Sequence, residues 1–129
     1  MPLVKVYRRA GRPAQENAQA FEAVHAALVE AFKIPDHDRN HLLFELDAAH
    51  FEIAPDRTAA FTQIEIVAFP GRSADAKRAL YASLARRFEA LGVAPSDLMV
   101  ILVEPPLENW SVRNGVSSAD LKPGFKLDV

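Results

Sequence analysis

Cysteine is absent from this chain of 129 residues. That excludes a disulfide scaffold, a thiolate nucleophile and cysteine metal sites, and it fits a reducing compartment. An excess of charge is missing too. Fifteen Lys and Arg against 17 Asp and Glu leave a formal net charge of −2, which gives no electrostatic basis for binding nucleic acid or an anionic membrane surface. No apolar stretch approaches the roughly 18 residues of a membrane span. The opening twelve residues place a short apolar run before their basic residues, the reverse of a signal peptide. These absences predict a cytoplasmic protein. Five glycines and nine prolines are scattered as punctuation, without a linker or low-complexity segment, and half the residues are apolar. A single domain spanning 1–129 follows.

Two halves of the chain read alike, at about 2–58 and 61–104. Residues 2–7 alternate and are rich in Leu, Val and Tyr, so they read as a strand, with proline tolerated at its opening position. A break at 10–13 follows, Pro13 suiting a first helical turn. Phe21, Val24, Leu28 and Phe32 then recur at helical spacing until 34–36 ends the helix. Sixty residues on, 64–69 is a strand, 70–73 a turn, and 74–91 a helix with a stripe of Leu80, Leu84, Phe88 and Leu91. Gly92 is its expected C-terminal stop. Gly11 and Arg12 match Gly71 and Arg72, Phe21 matches Tyr81, and Leu28 matches Phe88 at one offset. His41–Leu46 and Leu98–Val103 complete two β-α-β units, whose short crossovers place strands parallel with right-handed connections. The expected fold is α+β, with both helices on one face of a mixed four-stranded sheet. Asn114 and Gly115, flanked by Val112 and Val116, predict a C-terminal hairpin within the tail 105–129. A small sheet with open edges calls for an oligomer to shield it.

Four residues carry candidate chemistry. Pro2 becomes a rigid secondary amine once Met1 is removed. An α-amino group titrates near 8, and burial or a neighbouring cation lowers that value toward the range of a neutral-pH general base. The plain alternative is that proline after Met1 is simply common. Arg72 stands after a strand and before a helix whose expected N-cap is Ser73. Its guanidinium suits two-pronged binding of a carboxylate, the alternative being a solvated surface arginine. Asp38, in the loop after the first helix, is placed to relay protons or to cap a turn, with Arg39 as a neutralising neighbour. Trp110, the only tryptophan, is either a pocket wall or a packing anchor. His37 and His41 lack a third ligand at motif spacing, so no metal is expected, and no cofactor-binding fingerprint is present. Ser83, Ser96 and Ser111 have no evident base partner.

MPLVKVY (1–7), VEAFKIPDHDR (29–39), FPGRSADAKRALY (69–81), SDLMVILVE (96–104) and ENWSVRNG (108–115), in that order, resemble the tautomerase superfamily. Within it they resemble the branch similar to malonate semialdehyde decarboxylase. The resemblance implies a homotrimer with the amino-terminal proline in a pocket near a subunit boundary. Pro2 matches the catalytic proline, Asp38 the assisting aspartate, Arg72 a carboxylate-binding arginine, and Trp110 an aromatic residue lining the pocket. One departure stands out. The decarboxylase carries two arginines, two positions apart, where this chain has Pro70 and Arg72. A lone cation polarises a second oxygen less well, so tautomerisation asks less of this site than decarboxylation. The expected function is keto–enol tautomerisation of a small 2-oxo acid, a carboxylate substrate of the phenylenolpyruvate kind, with Pro2 as base. The alternatives are a decarboxylase or hydratase using protonated Pro2, and a non-catalytic trimeric binding protein if Met1 is retained.

Overall fold

The computed structural model describes residues 2–121 and 129. Four strands form one sheet in the order β2-β1-β3-β4, with β1 at Pro2–Arg9, β2 at His41–Leu46, β3 at Thr62–Ala68 and β4 at Leu98–Val103. β1 pairs with β2 and β3 with β4 in parallel, while the two central strands run antiparallel. This is two β-α-β units joined back to back. Lys5 and Glu65, sixty positions apart in the chain, are direct partners in the central register and form an ion pair at 3.7 Å. The pseudo-twofold axis of the repeat therefore passes between them.

Both helices cover one face. α1 spans Ala14–Phe32 and α2 spans Ala74–Ala90. The alternation of β1 and β3 points Val4, Val6, Ile64 and Ile66 at the helices, which return Val24, Leu28, Phe32, Leu80, Leu84 and Phe88, all fully buried. Phe21, expected in the stripe, is only half-buried and stacks on His41, and Tyr81 is exposed. Alanines at 20, 23, 27 and 31 take the core positions of α1 instead. Small residues there let the two helices approach each other over the sheet.

Helix ends follow local chemistry. The Ser73 hydroxyl accepts the Ala76 N–H at 3.0 Å, the expected cap of α2. At its other end Gly92 has φ +88°, with Gly92 N–H donating to the Glu89 carbonyl and Val93 N–H to that of Phe88. These are the paired bonds of a Schellman stop. Lys33 ends α1 in the left-handed region, its N–H donating to the Val29 carbonyl.

The C-terminal hairpin is a correction. Asn114 and Gly115 do adopt positive φ values of 62° and 67°, and Val116 N–H donates to the Arg113 carbonyl at 3.3 Å. The chain reverses there, and Ser118 N–H reaches the Trp110 carbonyl at 2.8 Å. No strand follows β4 among the described residues; the segment instead forms 3-10 turns at Leu107–Asn109 and Ser118–Asp120. The remainder of the expected tail, 122–128, lies outside the described residues. Turn residues dictate a reversal, whereas a ladder also needs apolar side chains to pack against. Among the described residues no helix is long and apolar enough to cross a membrane.

Candidate active site

One end of the sheet gathers all four candidates. Pro2 opens β1 on the helix-covered face and is buried, paired across the strands with Ala68. β3 ends at this Ala68, because Pro70, two residues on, cannot donate to a ladder and Gly71 turns the chain at φ +128°. That turn sends Arg72 back beneath the start of α2.

Arg72 is 5 % exposed, so the solvated alternative is excluded. Its Nη1 donates to the Phe69 carbonyl at 3.1 Å, and its guanidinium carbon lies 4.8 Å from the ring centre of Phe32, at the end of α1. Burial lowers its pKa, opposed first by Glu104 and then by Asp38. An arginine so placed keeps its charge at neutral pH. Phe69 meets Trp110 edge to face, centroids 5.0 Å apart, and the Trp110 indole N–H donates to the Pro105 carbonyl at 3.1 Å. Trp110 is thus both anchored and half-exposed, with its ring beside the residue that holds Arg72.

Asp38 comes from the loop that enters β2. Its carboxylate accepts from the Asn40 amide at 3.1 Å, its N–H donates to the Pro35 carbonyl, and the Asn40 carbonyl accepts the Val4 N–H at 2.8 Å. The loop is therefore pinned to β1 two residues beyond Pro2. Turn-building and an electrostatic role toward Arg72 coexist in the same carboxylate.

The structure adds residues that the linear pattern did not single out. Glu104 follows β4 and pairs with Lys77 of α2 at 2.6 Å, and its negative charge supports the charged form of Arg72. The Phe32 ring lies against the guanidinium and the Phe69 carbonyl holds it. The signals were present in part: Glu104 continues the period-two alternation of β4, and Lys77 shares a helix face with Leu80 and Leu84. His41 meets His25 rather than His37, ring centroids 5.7 Å apart. Among the described residues no three His, Asp or Glu side chains converge as metal ligands.

Two family models described as tautomerase enzyme match the chain, one over residues 38–113 and one over 2–60. The chain belongs to the tautomerase family. The probable tautomerase YusQ of Bacillus subtilis (strain 168) is 27% identical over 121 residues, covering 89% of this chain and 95% of that protein. Malonate semialdehyde decarboxylase, whose structures were solved to explain decarboxylase and hydratase activities, superposes with a TM-score of 0.83 at 26% identity, over 93% of this chain and 99% of that one. The wild-type fused 4-OT Q0, a symmetric trimer, gives a TM-score of 0.80 at 25% identity, covering 91% and 96%. This chain thus shares its double β-α-β sheet with a decarboxylase and with a trimeric relative.

Proposed function

We propose that this tautomerase interconverts enol and keto forms of 2-oxo acids such as phenylenolpyruvate, as a cytoplasmic, cofactor-free homotrimer whose base is the Pro2 nitrogen of the processed chain. The observation that carries the reading is the junction of Pro2 and Arg72. The strand partner of Pro2 is Ala68, and the next carbonyl along, that of Phe69, holds the buried guanidinium. An amine and a cation are thereby fixed to one backbone segment.

In this mechanism Arg72 binds the substrate carboxylate and stabilises the enolate beside it. The free amine of Pro2 takes the proton from the enol hydroxyl and returns a proton to C3, so that the ammonium formed in the first half is consumed in the second. Trp110 and Phe69 border the tail of the substrate, and Asp38 orients the pocket from the loop side. The trimer is supported by the fused 4-OT relative and by the open edges of the sheet.

With Met1 shown by intact mass to be removed, Pro2→Ala is expected to lower kcat/KM for phenylenolpyruvate ketonisation by roughly 100-fold or more. Equal rates in the two proteins remove Pro2 as the base. For a required free amine, kcat/KM rises with pH through the amine pKa and then levels. A fall over that range instead indicates the protonated-proline chemistry of a decarboxylase or hydratase, and Asp38→Asn then abolishes the activity rather than moderating it.

A further inference from the structure

Glu104 and Lys77 lie at the proposed pocket without a part in proton transfer. Val103, the last residue of β4, pairs with Val67, and Glu104 and Ala68 each follow by one residue. Leu98, Val100 and Leu102 pair with the fully buried Thr62, Ile64 and Ile66, so the same alternation carries Glu104 onto the helix-covered face. Lys77, two turns before Leu84 on α2, reaches it there at 2.6 Å, both side chains being partly buried. Pro2 flanks Ala68 on the opposite side. Glu104 therefore stands roughly two strand spacings, about 10 Å, from the amine at the same level of the sheet. A short 2-oxo acid spans such a distance.

Among the described residues, the cations at this end are already engaged. Lys77 is paired with Glu104, Arg39 is held by Glu22 at 2.8 and 3.2 Å, and the Lys33 ammonium turns back to the Glu30 carbonyl at 2.7 Å. Arg72 is the guanidinium assigned to the substrate. A second acid group arriving near Lys77 meets a carboxylate already there, and like charges in a partly buried site repel strongly.

We infer that Glu104, fixed by Lys77, is a specificity-determining residue that restricts the pocket to 2-oxo acids with one carboxylate and an apolar tail and rejects those with a second carboxylate. The inference rests on the tautomerase reading for its choice of substrate class, but its test does not depend on proton transfer. Selection by repulsion is as effective as selection by attraction where binding energies are similar.

Titration calorimetry on the processed full chain with phenylpyruvate and 2-oxoadipate reads it directly. The wild type is expected to bind phenylpyruvate at least about tenfold more tightly. Glu104→Gln removes the repelling charge and releases Lys77, and is expected to tighten 2-oxoadipate by on the order of tenfold relative to phenylpyruvate. Adding Lys77→Met removes only the part of that gain owed to the released ammonium, and Glu104→Asp keeps the wild-type preference. An unchanged ratio of the two affinities in Glu104→Gln overturns the inference. So does the absence of binding by both acids. Failure of the tautomerase reading shows separately, as a Pro2→Ala rate equal to the wild type.

Discussion

At the N-terminus of β2, the His41 imidazole stacks on Phe21 with centroids 5.6 Å apart and receives the edge of His25. His25 is buried on α1, its Nε2 3.3 Å from an Asp36 oxygen. Burial is the main cause of a lowered His41 pKa, followed by His25 and Arg39, with Glu22 and Asp38 opposing. The folded protein therefore holds His41 neutral at a pH where the unfolded chain, titrating near 6.5, takes up a proton. Stability from this group is present above about pH 6.5 and declines as pH falls through the lower, folded value. His41→Phe retains an aromatic ring against Phe21 and removes the titration. Its thermal midpoint is expected to fall less than that of the wild type between pH 7 and pH 5. Parallel decreases in the two proteins exclude the assignment. The consequence for the site is local, because the residue before His41 bonds both Val4 and Asp38.

Among the elements, the end of α2 gives the plainest test of how sequence dictates a stop. Gly92 at φ +88° has nothing within 4 Å of a built Cβ, so replacing it by Ala introduces backbone strain without a clash. The expected cost is roughly 1–2 kcal/mol, a drop of several degrees in the thermal midpoint. No loss in Gly92→Ala shows that the Schellman stop is redundant. Gly92 was legible because a helical stripe ended there. β2 and β4 were legible to the residue for a similar reason: an apolar run met turn residues on either side. Pro2 and Arg72 were legible because each sits at an element boundary, where residue type and position constrain each other. Glu104 and Lys77 were not, since twenty-seven residues separate them and only the pairing of β4 with β3 and the seating of α2 bring them together. The C-terminal segment failed for a related reason. Its Asn-Gly pair fixed a turn, but the strands that would extend it had no partners in the described chain.

For the molecule as a whole, the uncovered face of the sheet is the surface to test for assembly. Tyr7 stacks on Phe44 at 4.8 Å on that face, and Leu42, Phe44, Ile101 and Val103 are each between 39% and 47% exposed. The Lys5–Glu65 pair lies between these two apolar flanks. Apolar flanks on either side of a paired charge suit contact with further copies of itself, and β2 and β4 both leave a strand edge open. Glutamates at Phe44 and Ile101 put an unpaired charge on each flank while leaving the helix-covered core untouched. The Phe44→Glu, Ile101→Glu double variant is expected to sediment as a monomer with an unchanged far-ultraviolet circular dichroism spectrum. If the pocket lies at a subunit boundary, as the family resemblance implies, phenylenolpyruvate turnover falls with assembly, and the loss is greatest at the lowest protein concentration. A monomer that retains full turnover shows instead that Pro2, Arg72 and the two aromatic walls suffice within one chain.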